Sequence, residues 1–221
     1  MRWLAPGAFG LFALATAATV VTSIDAAADE PTLRTAAVAG YWVLKFAVVS
    51  AFAYFVLVRE PARRPARDPV AFAACAAAIV AVVALEAPSQ TTATWTVVAG
   101  DVTALFACVW LLVAVLALGR CFSVLPEARG LVTSGPYRFV RHPVYLGELG
   151  AAAGLVLASP TGRNFVAGVV FAAAQGIRMR LEEAALTDEF PEYAAYAART
   201  PRLIPRLSSS NGGPAPAGVE A

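Results

Sequence analysis

The chain alternates long apolar runs with short polar segments. Apolar runs cover residues 3–24, 36–58, 70–85, 95–118, 144–158 and 165–174. A helix needs about 20 mostly apolar residues to cross a bilayer, so the fifth run is short for a full crossing. The pattern predicts an all-α fold, a polytopic membrane helical bundle of about six membrane helices that ends in a C-terminal helical hairpin.

The first two runs each leave a choice open. Arg2 precedes the first run, which could be a signal peptide, but the run exceeds the usual apolar core of about 7–15 residues and has no clean cleavage site. We favour a membrane helix, followed by an acidic loop with Asp25, Asp29 and Glu30. Lys45 interrupts the second run, and a charge at that depth either faces a partner or reaches toward the interface.

The arginines predict the orientation of the bundle. They concentrate in residues 59–67, in residues 120–141 and near the C-terminus, whereas residues 25–30 are acidic and residues 87–94 are uncharged. Because cytoplasmic loops carry excess positive charge, both termini and both arginine-rich loops are predicted to be cytoplasmic. Arg163, in the turn between the last two apolar runs, is the exception.

Composition excludes several other classes of protein. With 59% hydrophobic and 14% charged residues, the chain is too apolar for an ordinary soluble domain. A net charge of +2 gives no basis for a nucleic-acid partner. Cys75, Cys108 and Cys121 are scattered, so neither a disulfide framework nor a metal site is predicted.

The segment 129–148 carries the densest chemistry, including the single histidine, His142. Pro143 suits the first turn of a helix, and Tyr145 and Glu148 then follow His142 at spacings of three on one face. An interfacial anchor is the alternative, because tyrosine and arginine are common at membrane boundaries. Against this, Glu148 lies in an apolar helix and needs a partner there.

The sixth apolar run continues into a polar helix. Gln175, Arg178 and Glu182 share one face, which can look at the fifth helix, whereas Arg180 and Glu183 lie elsewhere and suit surface or support roles. The alternative is that Arg178 and Glu182 form an ordinary ion pair worth about 0.3–0.5 kcal/mol.

Two blocks of residues together resemble a known enzyme family. The first fits G-x-Y-x-x-x-R-H-P-x-Y-x-G and consists of Gly135, Tyr137, Arg141, His142, Pro143, Tyr145 and Gly147. The second consists of Arg178, Glu182, Glu183, Leu186, Phe190, Tyr193, Tyr196, Pro201, Ile204 and Pro205. This order resembles the isoprenylcysteine carboxyl methyltransferase family of integral-membrane enzymes. The resemblance implies N-terminal transmembrane helices in residues 1–119 and a catalytic region in residues 120–207. Residues 208–221 read as a disordered tail.

The resemblance implies a cytoplasmic binding region for S-adenosyl-L-methionine, the methyl donor. The residues that it places at the donor are Arg129, Gly130, Leu131, Val132, Tyr137, His142, Pro143, Val144, Tyr145 and Glu182. It places Arg178 on the side of the acceptor. Helical spacing puts Tyr145 and Glu148 on the facing side of the fifth helix, and we predict that Arg178, Tyr145 and Glu148 act at the reaction itself. Tyr193, Tyr196, Arg199 and residues 201–205 are expected to fold back as a lid. The glycine fingerprint of dinucleotide-binding folds is absent.

The function predicted on this basis is methylation of the carboxylate of a lipophilic, isoprenylcysteine-like acceptor that lies in the bilayer. The acceptor is a small molecule or a prenylated partner, and neither nucleic acid nor metal takes part. A phospholipid N-methyltransferase is the alternative, with Glu148 or His142 as the base. More distant alternatives are a sterol-type reductase that uses NADPH, and a transporter that uses Lys45, Asp101 and Glu148.

Overall fold

The computed structural model describes residues 4–63, 65–66, 68–86, 88 and 92–205. These residues form seven α-helices and two short 3₁₀ turns, with no strand among them, which confirms the all-α prediction. The helices are α1 (Leu4–Asp29), α2 (Leu33–Val58), α3 (Pro69–Val83), α4 (Thr94–Leu118), α5 (Pro143–Ala158), α6 (Gly162–Glu189) and α7 (Tyr193–Arg199). The predicted tail of residues 208–221 lies outside the described residues.

Three described segments are long and apolar enough to cross a membrane. They are Gly10–Asp29, Leu33–Val58 and Thr94–Cys121, with mean hydropathies of 1.6, 1.9 and 2.6. Helices α3 and α5 are apolar but have only 15 and 16 residues. The structure therefore supports a membrane protein, and the count of six crossings stays a prediction.

The prediction of an acidic loop at residues 25–30 is wrong for residues 25–29, which are helical. Asp25 and Asp29 lie inside α1, and the amide of Glu30 still donates to the carbonyl of Ala26 at 3.0 Å. Three alanines separate the two aspartates, and alanine has the highest helix propensity. Both carboxylates are exposed, so continuing the helix costs no burial of charge.

Helix α4 packs against both α2 and α5, and its contact with α5 brings the two backbones together. A Cβ atom added at Gly154 of α5 would lie 2.6 Å from the amide nitrogen of Ala104. One added at Gly100 of α4 would lie 2.4 Å from the amide nitrogen of Ala158. Such close approach through small residues is typical of helices in membranes. This contact fixes α5 against α4. It also fixes the first sequence block, residues 135–147, which overlaps the start of α5 and is called the motif below.

Lys45 lies among aromatic rings. Its Nζ is 4.5 Å from the ring centroid of Trp42, 5.6 Å from that of Tyr41 and 5.9 Å from that of Phe12. Aromatic faces attract an ammonium group, and more strongly away from water. The charge in the middle of α2 thus has partners on α1 and on its own helix.

Candidate active site

His142 stands at the start of α5, where the chain turns into the helix. Pro143 occupies the first helical turn, as predicted, and the indole nitrogen of Trp110 on α4 donates to its carbonyl at 2.9 Å. His142 is buried, and its Nε2 lies 3.0 Å from Oε1 of Glu183. Its Nδ1 is buried without a hydrogen-bond partner among the described residues. The imidazole is therefore anchored on one side and has an unused nitrogen on the other.

Tyr145 joins α5 to α6. Its hydroxyl donates to Oε2 of Glu182 at 2.8 Å, and its ring lies 5.4 Å from that of His142. The guanidinium of Arg178 lies over the same ring, at 5.0 Å from its centroid. The faces of α5 and α6 therefore meet as their helical spacing predicts.

Glu148, Gln175 and Arg178 form a buried polar network between the same two helices. Gln175 Nε2 donates to Glu148 Oε2, and Arg178 Nη1 donates to Gln175 Oε1. Arg178 Nη1 is also 3.7 Å from Glu148 Oε2, and Nη2 donates to the carbonyl of Val124 at 2.8 Å. Arg178 is thus paired across the helices with Glu148, rather than along its own helix with Glu182. The costly carboxylate in α5 has the partner that its position requires.

The suggestion of a surface role for Glu183 is wrong, although its support role agrees with the structure. Glu183 is buried and accepts hydrogen bonds from His142 and from Arg202 Nε, the latter at 2.9 and 3.0 Å. Arg141 Nη1 lies 3.4 Å from the same carboxylate. Burial raises the pKa of Glu183, but these hydrogen bonds and charges outweigh burial and lower the pKa to about 2. Arg180 is exposed.

The segment after α6 folds back over the motif. The amides of Arg141 and His142 donate to the carbonyls of Pro201 and Arg202 at 2.8 and 3.1 Å. The hydroxyl of Tyr196 donates to the carbonyl of Tyr137 at 2.6 Å. Burial raises the pKa of Tyr196 to about 12, although nearby arginines act in the opposite direction. The first sequence block is therefore hydrogen-bonded directly to the C-terminal part of the second block.

The remaining residues predicted at the donor lie in different environments. Arg129 is ion-paired with Glu127. Gly130 leaves room for Cys121, since a Cβ atom there would lie 2.6 Å from the Cys121 sulfur. Leu131 packs with the cluster around Phe190 and Tyr193, whereas Val144 packs with Leu111 and Val115 in the core of the bundle. Val132 is half-buried.

Sequence reasoning missed several residues that shape the site. Trp110 donates a hydrogen bond to Pro143, and Glu60 and Glu127 accept hydrogen bonds from Arg129. These three residues lie outside the two blocks. Their roles depend on contacts between distant segments.

A buried site shared by the apolar helix α5 and the polar part of α6, with carboxylates and an arginine on facing sides, is the kind of site expected of a membrane-embedded transferase. Residues 89–192 match the family described as phospholipid methyltransferase, a family of membrane methyltransferases related to the isoprenylcysteine carboxyl methyltransferases. Residues 89–192 are therefore similar to the phospholipid methyltransferase family, and the predicted resemblance is confirmed.

Two curated proteins are similar over a shorter stretch. The cobalt-zinc-cadmium resistance protein CzcN of Cupriavidus metallidurans is 41% identical over 83 residues, which are 37% of this chain and 38% of that protein. The nickel-cobalt-cadmium resistance protein NccN of Alcaligenes xylosoxydans xylosoxydans is 37% identical over 79 residues, 35% of this chain and 37% of that protein. The matched part thus spans well under half of either relative, and neither name states a chemical reaction.

Proposed function

We propose that the protein is an integral-membrane methyltransferase that uses S-adenosyl-L-methionine to methylate a lipophilic acceptor. The observation that carries the proposal is the meeting of Tyr145 with Glu182, beside the network of Glu148, Gln175 and Arg178. The family of residues 89–192 supports the reaction class. The apolar helices around the site support a multi-pass protein whose acceptor stays partly in the bilayer.

The residues present fit the methyl donor, which carries an ammonium, a sulfonium and a carboxylate. Glu182 is half-buried and offers a carboxylate to a cation, while His142 has a buried nitrogen without a partner among the described residues. Tyr137 and Tyr145 provide buried aromatic surface close by. When bound, S-adenosyl-L-methionine supplies an electrophilic methyl group. The residues proposed to hold it are Arg129, Gly130, Leu131, Val132, Tyr137, His142, Pro143, Val144, Tyr145 and Glu182.

Arg178 is the residue proposed to bind the acceptor. A guanidinium binds a carboxylate with well-defined geometry, and a carboxylate acceptor needs no general base. The Nε of Arg178 is buried without a hydrogen-bond partner among the described residues, so this N–H group remains available to hydrogen-bond a ligand. Glu148 and Gln175 orient the guanidinium, and the Tyr145 ring supports its face. Positioning of the two reactants accounts for a large part of catalysis in such reactions.

A phospholipid amine is the second candidate acceptor, and one observation favours it. Arg178 already has an acidic neighbour in Glu148 at 3.7 Å, which reduces the positive charge that a carboxylate acceptor would meet. An amine must lose a proton when it is methylated. Glu148, which lies beside Arg178 and Gln175, is the residue proposed to accept that proton.

The arginine-rich segments around the site support a cytoplasmic location, with both chain termini on that side. The proposed partners are the bilayer and a lipophilic small-molecule or prenylated acceptor.

Donor titration and product analysis test the proposal. We expect the purified full chain in lipid nanodiscs to bind S-adenosyl-L-methionine in a calorimetric titration and not to bind NADPH. Incubation of membranes with methyl-labelled donor should then label a lipophilic product. Mild alkali distinguishes the acceptors, because it releases labelled methanol from a methyl ester and leaves an N-methyl group intact. Absence of donor binding would refute the proposal.

A further inference from the structure

The loop between α2 and α3, described at residues 59–63, 65–66 and 68, lies against the loop that leads into the motif. The amide of Glu60 donates to the carbonyl of Arg120, and the amide of Arg63 donates to the carbonyl of Ala128, both at 2.9 Å. The α2–α3 loop precedes the region that matches the methyltransferase family. Its backbone hydrogen bonds nevertheless reach Ala128, immediately before residues 129–132, which are proposed to line the donor.

A buried ion pair holds this loop at both of its ends. The side chains of Arg129 and Glu127 are paired and only 6% and 9% exposed. Arg129 Nη1 donates to the carbonyl of Glu60, at the start of the loop. Glu127 accepts from the hydroxyl of Ser123 at 2.8 Å and from the amide of Ala66, near the end of the loop, at 3.4 Å.

The energetics of this pair suggest a positioning role. Removing two charges from water is costly, so a buried pair is weak evidence for added stability. The Arg120–Glu60 pair, which also involves this loop, is 65% and 43% exposed, and exposed pairs contribute little to stability. The buried pair has hydrogen bonds to the loop backbone at Glu60 and Ala66, whereas the side chain of Arg120 donates to the carbonyl of Val58, at the end of α2. The buried pair defines where the loop lies.

A further contact connects the loop to the C-terminal segment. The guanidinium of Arg63 lies over the ring of Phe190, 5.2 Å from its centroid. Phe190 packs in one cluster with Ala128, Leu131, Tyr193 and Tyr196. The loop therefore supports both segments that approach His142, the one before it and the one that folds back over it.

We propose that the α2–α3 loop forms an additional wall of the donor site, and that Arg129 and Glu127 are positioning residues that hold it there. The inference rests on the proposed function, because it concerns the same donor. It gives Arg129 a role through the loop, in addition to the contact with the donor that the family resemblance implies. It also makes the N-terminal helices part of the methyl-transfer site.

Hydrogen exchange of the full chain in nanodiscs, with and without S-adenosyl-L-methionine, tests the proposal. We expect the donor to slow amide exchange in residues 60–66 together with residues 128–132 and 142–146, because ligand binding stabilises the segments that form its site. The double variant Arg129→Gln/Glu127→Gln leaves no unpaired buried charge. In this variant we expect residues 60–66 to lose their protection and the donor Kd to rise about tenfold.

Arg120→Gln is the matched control. It removes the exposed pair on the same loop, and we expect the donor Kd to stay within about twofold of the wild-type value. The inference is overturned if the donor protects residues 142–146 but not residues 60–66 in the wild type. It is equally overturned if the double variant binds the donor as tightly as the wild type. Protection of neither segment would refute donor binding itself. The wild-type exchange experiment decides the matter even if the double variant does not fold.

Discussion

At the scale of single residues, the charges buried at the site are each held by specific partners. Arg178 contacts Gln175 and Glu148, and Glu183 receives hydrogen bonds from His142 and Arg202. Buried charges are tolerated only with such partners. The half-buried Glu182 accepts a hydrogen bond from Tyr145 and keeps part of its surface exposed, which makes it the residue to test first.

Glu182→Gln should weaken donor binding. The amide keeps the size of the side chain and an oxygen for Tyr145, but loses the charge that attracts a cation. We expect the donor Kd, measured by calorimetry, to rise about tenfold, equivalent to about 1.4 kcal/mol. Arg180→Gln, at an exposed position of the same helix, is the control and should leave the Kd unchanged. An unchanged Kd for Glu182→Gln would remove Glu182 from the donor site.

The lowered pKa of Glu183 predicts how stability depends on pH. A carboxyl whose pKa is about 2 in the folded protein and about 4.5 when free stabilises the fold fully above pH 4.5. This contribution is lost as the pH falls toward 2. We expect Glu183→Gln to melt at a lower temperature than the wild type between pH 5 and 7, with a difference that shrinks below about pH 4.5. A difference independent of pH down to 2 would show that the charge of Glu183 does not stabilise the fold.

The residues of the site could be predicted from the sequence in part. Helical spacing was enough to place His142, Tyr145 and Glu148 toward one side of α5, and Gln175, Arg178 and Glu182 on one face of α6. It could not show that Arg202 returns to Glu183, since that contact joins segments 19 residues apart across a chain reversal.

At the scale of the helices, the close contact of α4 and α5 determines where the motif lies. Each helix contributes glycines where the other backbone approaches, and Trp110 of α4 adds a hydrogen bond to Pro143 of α5. The bounds of α2, α3, α4 and α5 agree with the apolar runs to within a few residues. Helix α1 ends later than its run, and α6 continues beyond its run into the polar segment, as predicted.

Gly154→Val should destabilise the bundle. The new side chain would meet the backbone of α4 at Ala104 and Gly100, which cannot move aside as the end of a side chain can. Overpacking of this kind costs about 1–3 kcal/mol, and more against backbone. We expect a melting temperature in detergent several degrees below that of the wild type. Gly10→Ala is the control, because nothing lies within 4 Å of a Cβ atom there, and its melting temperature should not fall.

At the scale of the whole molecule, the arginine pattern predicts that the loop before α5 and the turn after it lie on opposite sides of the membrane. Ser134 and Thr161 flank α5 and are both exposed. The helix between them has 16 residues and is about 24 Å long, slightly less than the apolar thickness of a bilayer.

Thiol labelling of intact cells tests this topology. Ser134→Cys and Thr161→Cys are introduced separately into a chain whose three cysteines are replaced by alanine, which itself is the unlabelled control. We expect an impermeant reagent to label the cysteine at position 161 from outside, and the cysteine at position 134 only after the cells are opened. Labelling of both positions from the same side would contradict the predicted crossing by α5.

The sequence by itself determined the helical class, the apolar runs and the two blocks that carry the family resemblance, because hydrophobicity and helical periodicity are local properties of the chain. Only the tertiary structure decided that Arg178 pairs with Glu148, that Glu183 is buried under Arg202, and that Arg129 holds the α2–α3 loop. Each of these contacts joins residues from different elements. Which of several possible charge partners meet depends on how helices pack, and that packing depends on the shape of many side chains at once.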